Sequence, residues 1–242
     1  RIMNEEGLSP YKTFDTIGSI AEMLGSFTGE SFHPRITREK LTENTEIVLI
    51  EPPCGSNTAI LINGGKALFI DGGFAIYREE MLKIFRELFD DFDSMEKVMF
   101  ITHSDIDHCG LLDDFDKIIA SEASKKSLEL EFEGKDNFRE QNILHKPYIR
   151  ICKALTGYRP CDPQKIVVPW QSPKELTEPL TSIGFLDFGD LHFEVFEGKG
   201  GHIYGETVLI DYVNKIAFTG DIYVNLKGFS DEQKRFNRLA PI

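Results

Sequence analysis

The sequence predicts a mixed α/β protein, with sheets inside and helices outside. Three observations carry that prediction. Short β-rich runs recur between residues 46 and 221. Other stretches space their apolar residues at helical intervals. The order is strands, helix, strand, helix, a polar stretch and then strands again, with no repeat of the solenoid kind. At 242 residues the chain can bury a real core, as one large domain or two small ones.

Residues 1–44 read as a helical arm leading into a main domain at 45–242. Within the arm, "FDTIGSIAEMLGSF" (14–27) places Phe14, Ile17, Ile20, Ala21 and Leu24 on one helical face, the mark of a packing contact. "EIVLIE" (46–51), "TAILIN" (58–63) and "KALFID" (66–71) are strand-like, and "NGGK" (63–66) is a hairpin turn between the last two. "REEMLKIFRELFDDF" (78–92) aligns Met81, Leu82, Phe85, Leu88 and Phe89 as an amphipathic helix. "KVMFI" (97–101) is a continuous apolar run, as in a strand covered on both faces. "LLDDFDKI" (111–118) reads as a helix start and "KIIA" (117–120) as a short strand. The polar stretch 121–164 is expected as an insertion with some helix, either a wall beside a site or a surface excursion. Strands resume at "KIVVP" (165–169), "IGFLDF" (183–188), "LHFEVFEG" (191–198), "ETVLID" (206–211) and "KIAFTGD" (215–221), with turns at "GD" (189–190) and "YVNK" (212–215).

A formal net charge of −13 repels phosphate backbones and anionic lipid, so neither nucleic acid nor a membrane surface is an expected partner. The opening residues lack the apolar core of a signal peptide, and no run approaches the roughly 18 apolar residues of a membrane span. Cys54, Cys109, Cys152 and Cys161 form no CxxC pair. A zinc knuckle is therefore not expected and a reducing, cytoplasmic compartment is the default, although Cys152 and Cys161 could pair in an oxidising one.

The chemistry gathers at "ITHSDIDHCG" (101–110), where an apolar strand stops and presents His103, Asp105, Asp107 and His108 within six positions. Such a stretch is either a metal site or a polar turn; imidazole with carboxylate suits zinc, iron or manganese. Asp71 at the end of "ALFID", His202 in "GKGGHIYGET" and Asp221 at the end of "KIAFTGD" are also polar residues at strand ends, where sites are assembled from distant segments. Cys109 reads as a small packing residue, Trp170 as core, His192 as structural or exposed, and His145 as a side chain within possible reach of a substrate.

These residues carry a resemblance. "THSDIDHCG" resembles the T-H-x-H-x-D-H-x-G motif of the metallo-β-lactamase superfamily, and "ALFIDGG" its strand ending in Asp-x-Gly. "GGHIYGET" is similar to its Gly-His-x-x-Gly-Ser/Thr element and "AFTGD" to its Phe-x-Gly-Asp element. The four occur in the family's order, over roughly 46–224. The resemblance implies a four-layer αββα sandwich of metallo-β-lactamase type with one or two divalent metal ions (zinc, iron or manganese) at the sheet edges. Carried over by position, His103, Asp105 and His202 would bind the first metal, Asp107 and His108 the second, and Asp221 both. Asp71 would accept a hydrogen bond that orients a ligand or its loop.

Two departures matter. Asp105 stands where the hydrolases carry histidine; the flavodiiron and related oxygen-binding branch resembles this chain there, having glutamate. The family's final histidine ligand has no counterpart after Asp221, so a C-terminally truncated domain with an incomplete second position is expected. The leading expectation is a hydrolase of small-molecule esters, thioesters, lactones or phosphodiesters, in which metal-bound water attacks and Asp107 orients it and carries a proton. A non-haem di-iron protein binding or reducing oxygen or nitric oxide is the alternative, and an inactive scaffold or sensor is a third.

Overall fold

A computed structural model describes residues 9–143, 145–173, 175–176 and 178–239. Seven strands form the larger sheet, in chain order across it: β1 (Arg35–Lys40), β2 (Thr45–Glu51), β3 (Thr58–Asn63), β4 (Lys66–Ile70), β5 (Val98–Phe100), β6 (Lys117–Ile119) and β7 (Ile166–Val167). The first four pair antiparallel and β4 through β7 pair parallel. The smaller sheet, β8 (Leu180–Phe188), β9 (Leu191–Gly198), β10 (Thr207–Asp211) and β11 (Ile216–Phe218), is antiparallel throughout. The helices are α1 (Pro10–Ser26), α2 (Arg78–Leu88), α3 (Glu122–Phe132), α4 (Lys146–Thr156) and α5 (Asp231–Leu239).

Strand alternation sorts the side chains into two cores. Ile47, Leu61, Leu68, Ile70 and Phe100 face Leu191, Phe193, Val195 and Leu209 between the sheets. Val48, Ile50, Ile60, Phe69 and Met99 point the other way and meet Leu24 of α1, Leu82 and Phe85 of α2, Leu128 of α3 and Phe236 of α5. The described residues thus stack helices, sheet and sheet, a mixed α/β arrangement with three of the four expected layers. No described helix contributes to the inter-sheet core, and the outer face of the smaller sheet leaves Phe185 and Ala217 exposed.

Most expected elements form close to their expected ends, and the "NGGK" hairpin forms with positive φ at both Gly64 and Gly65. Four differences have physical reasons. Residues 35–40, inside the expected arm, add edge strand β1; the charged "RITREK" gives no alternating signal because nearly every side chain there is exposed. "LLDDFDKI" makes only a 3-10 turn at Leu112–Asp114 before Phe115 returns to extended backbone and packs against Phe69. Helix α1 buries Ile20, Met23 and Leu24 but leaves Phe14 exposed, so only its C-terminal half packs. Residues 121–164 are the connection between parallel β6 and β7, and such a crossover requires a dozen or more residues and usually a helix. This one carries α3 and α4, and it buries Leu128 of α3 and, past the end of α4, Tyr158 and Cys161 in the helical core. All four cysteines are free thiols. No described helix is long and apolar enough to cross a membrane.

Candidate metal centre

Parallel strands β4 and β5 end at the same rim and deliver Asp71 and His103 side by side. The chain turns sharply after β4 because Asp71 adopts φ 59°, a left-handed conformation that aspartate tolerates better than most residues. Its carboxylate then accepts the Thr102 N–H and the Thr102 hydroxyl, both at 2.8 Å, and lies 2.9 Å from His108 Nδ1. His108 Nε2 is thereby turned toward the cleft. The turn at 105–109 closes through His108 N–H and Cys109 N–H donating to the Asp105 carbonyl. Cys109 is buried against the His103 carbonyl, and burial pushes its thiol well above the usual range, as befits a packing residue.

The smaller sheet supplies the opposite wall. The Thr102 carbonyl accepts the N–H and the hydroxyl of Thr207, joining the two sheets at this rim. His202 sits in a loop whose Gly205 carbonyl accepts the Ser121 hydroxyl at 2.7 Å, fixing the loop to the start of α3. Gly205 also lies so close to that helix that a Cβ on it would stand 2.3 Å from Ala123 Cβ. Asp221 follows Gly220, and its N–H donates to Glu206 Oε1 at 2.6 Å.

The six candidate ligands meet at the mouth of a cleft of about 690 Å³ that Asp107, His108, His202 and Asp221 line. Their ligand atoms converge as two triads sharing one residue: His103, His202 and Asp221, and Asp107, His108 and Asp221. Asp221 offers one oxygen to each side, Oδ1 at 3.5 Å from His108 Nε2 and Oδ2 at 3.5 Å from His202 Nε2. Asp105 lies at the same centre, its Oδ2 3.0 Å from His202 Nε2 and 3.7 Å from His103 Nε2, with the Arg139 guanidinium on the same carboxylate. The resemblance placed Asp105 with His103 and His202, and its carboxylate lies beside both; Asp221 also closes a triad with the same two histidines.

The residues fit a metal ion. His103 is fully buried, with Nδ1 3.0 Å from the Thr102 hydroxyl, and its Nε2 has no hydrogen-bond partner among the described residues. A buried polar atom left unpaired costs about 1–3 kcal/mol, and this one points into the first triad. Burial, helped by His108, pulls the His103 pKa down to about 3, which keeps the imidazole in its ligating neutral form. Burial also works against a charge on His108, but the Asp71 and Asp107 carboxylates outweigh it and raise its pKa well above the ordinary value. Burial likewise opposes the charge on Asp221, yet His108, His103 and His202 hold its carboxyl down at about 2. Asp107 is raised by burial and by the neighbouring carboxylates, while it accepts the Ser56 hydroxyl at 3.0 Å. The charge pattern, acids crowded against neutral or proton-sharing imidazoles, is that of a cation site. Replacing Asp71 by Asn is expected to weaken metal binding at the His108 triad by about 10- to 100-fold, the usual effect of losing a partner that orients a ligand. Chelator competition measures this; unchanged affinity would mean that His108 needs no orienting acid.

Three functional side chains were not anticipated. Ser56 and Arg139 lie in segments without a local pattern. Glu206 left a trace: in the Gly-His-x-x-Gly-Ser/Thr element it falls on the Ser/Thr position, a carboxylate opening an otherwise apolar strand. It is buried, has its pKa pushed up by burial to about 7, and holds the Asp221 backbone. The other histidines lie apart: His192 is exposed and stacked on Phe185, His33 is exposed, and His145 lines a second cavity of about 180 Å³. That cavity opens beside Asp107 and is walled mainly by apolar residues of α1 and α4, among them Ile20, Leu24, Ile149 and Leu155. Trp170 is in the inter-sheet core, its indole N–H donating to the Phe185 carbonyl at 3.0 Å.

Two facing sheets with His and Asp side chains gathered at one rim define a mixed α/β protein with a candidate dinuclear centre. The family model of the metallo-beta-lactamase superfamily matches residues 52–225, and the chain belongs to that superfamily. No curated protein sequence matches it. Among solved structures it is similar to a flavo di-iron protein mutant from Thermotoga maritima, at 16% identity and TM-score 0.43, covering 73% of this chain and 40% of that one. It is similar to the metallo-beta-lactamase MIM-1 from Novosphingobium pentaromativorans, at 18% identity and TM-score 0.48, covering 90% and 76% of the two chains. The Rm3 metallo-beta-lactamase gives 19% identity, TM-score 0.48 and coverage of 84% and 70%. The chain therefore spans well under half the length of the flavo di-iron protein it matches.

Proposed function

We propose that this protein is a metal-dependent hydrolase acting on a small-molecule ester, thioester, lactone or phosphodiester. The observation that carries the reading is the pair of triads sharing Asp221, with the buried His103 Nε2 awaiting a partner. His103, His202 and Asp221 would hold one divalent ion, and Asp107, His108 and Asp221 another. A metal held there lowers the pKa of bound water and polarises a carbonyl or phosphoryl oxygen.

The rest falls to the chain's own groups. Asp107 would be the proton carrier: it lines the cleft, burial and the neighbouring carboxylates raise its pKa, and the Ser56 hydroxyl donates to it and fixes its orientation. Glu206 behind the site holds the Asp221 backbone in place. The apolar cavity beside Asp107 suits the hydrocarbon portion of a substrate. The di-iron alternative draws on Asp105 as an extra anionic ligand; Arg139 on that carboxylate offsets its negative charge, which favours the hydrolytic reading.

The test is metal content by elemental analysis, followed by turnover of the metal-loaded protein on a panel of the four substrate classes. The expected result is bound divalent metal and hydrolysis of at least one class that stops on chelation. Metal-loaded protein inert on the whole panel would sink the hydrolytic reading, and an iron-dependent visible band that responds to oxygen would favour the redox one.

A further inference from the structure

Arg139, from the turn between α3 and α4, places a fixed cation inside the metal centre. Its Nε donates to both oxygens of Asp105, at 2.9 and 3.1 Å, and its Nη2 donates to Asp105 Oδ2 as well. The same Nη2 lies 2.7 Å from His202 Nε2. That nitrogen also lies 3.0 Å from Asp105 Oδ2, so it is engaged in either form: unprotonated, its one lone pair accepts the Arg139 N–H, and protonated, it donates to Asp105, and in neither case is that lone pair free for an ion. A guanidinium stays charged at any pH the fold survives, so it cannot step aside by losing a proton. Arg139 is also well enclosed, with its side chain 17% exposed, so little water screens its charge. The second triad is placed differently. Asp107 meets the Ser56 hydroxyl, and His108 Nε2 lies 3.7 and 3.5 Å from Asp107 and Asp221.

We propose that Arg139 is an internal competitor for the first metal position: it keeps Asp105 out of the ligand set and claims His202 Nε2. The protein then takes one ion tightly at Asp107, His108 and Asp221, and a second weakly at His103, His202 and Asp221. The inference rests on the metal-centre reading above and deepens it, because it makes the two positions unequal and gives the inequality a residue. It also gives the acid at 105 a role, as the anchor that holds the guanidinium against His202.

Metal-free wild type, Arg139→Met and Arg139→Lys are titrated with zinc against a chromophoric chelator. Melting curves and circular dichroism establish that each is folded. Wild type is expected to show one tight and one weaker zinc. Arg139→Met is expected to tighten the weaker one by about 10- to 100-fold, the scale on which neighbours tune metal affinity, and to leave the tight one nearly unchanged. Lysine keeps the charge but lacks the planar fork that spans Asp105 and His202, so Arg139→Lys should fall between; it carries the test if the methionine variant does not fold. Two equally tight zinc ions in wild type, or variants with wild-type constants, would overturn the proposal. No zinc in any of the three would overturn the metal-centre reading along with it. The expected zinc pattern without turnover would remove the hydrolase and leave the competitor standing.

Discussion

Asp221→Ala is expected to empty both metal positions at once. Asp221 is the only residue common to the two triads, giving Oδ2 to the His202 side and Oδ1 to the His108 side. Its removal takes one of three protein ligands from each position, together with a negative charge that the nearby imidazoles hold ionised down to about pH 2. Losing an outer partner costs about 10–100-fold in metal affinity, and losing a shared anionic ligand should exceed that at both positions. The fold should survive. The contact that fixes this loop is the Asp221 backbone N–H on Glu206, which alanine retains. The other triad members set the contrast: His103→Ala should lose the first ion alone, and Asp107→Ala the second alone. Elemental analysis of the three purified variants decides it, with turnover expected to follow metal content. One full equivalent of metal retained by Asp221→Ala would mean that the two triads do not share a ligand.

The fold was legible where burial is one-sided or complete. Strands β2, β3, β4 and β9 announce themselves because each carries inward-facing apolar residues, and α2 because Met81, Leu82 and Phe85 line one face. Strand β1 was silent: an edge strand of "RITREK" buries almost nothing, so its pairing with β2 rests on backbone hydrogen bonds and on the exposed cross-strand pairs Arg35–Glu51 and Arg38–Glu46, none of which leaves an apolar pattern. The same logic divides the site. His103, Asp107, His108, His202 and Asp221 were readable because their residue types and spacing are the chemistry. Asp71 was readable because it ends a buried strand. Arg139 was not, since it reaches Asp105 across 34 positions and His202 across 63, from a polar segment with no periodicity. Asp105 shows where local reading stops: its type, between two histidines, says ligand, and nothing near it in sequence announces the guanidinium that shares its carboxylate.

Gly110→Ala is expected to be the most damaging single methyl in the chain's central motif. The last letter of "THSDIDHCG" looks like a turn glycine, yet Gly110 has no positive φ, and its requirement is space. A Cβ there would stand 2.2 Å from the Ala75 nitrogen, 2.3 Å from the Gly73 oxygen and 2.5 Å from the Phe74 carbonyl carbon. All three are backbone atoms, so no rotamer change relieves the clash. The neighbours cannot back away cheaply either. Gly110 N–H donates to that same Gly73 oxygen at 2.9 Å, and Gly72 N–H donates to the His108 carbonyl at 2.7 Å. This double link sets His108 against Asp71, so separating the two segments also turns His108 Nε2 away from Asp107 and Asp221. Overpacking a tight core costs about 1–3 kcal/mol, and a clash against backbone alone belongs at or above the top of that range. For a chain of this size 3 kcal/mol lowers Tm by about 6–12 °C. Gly64→Ala is the control. Nothing lies within 4 Å of its Cβ, and it meets only the left-handed backbone strain of φ 56°, about 1–2 kcal/mol. Thermal melts of the two metal-free variants, with zinc titration of whatever remains folded, measure the difference. A Gly110→Ala protein that melts within about 2 °C of wild type and binds zinc normally would show that the two segments can part without cost, and that the interlock does not position His108.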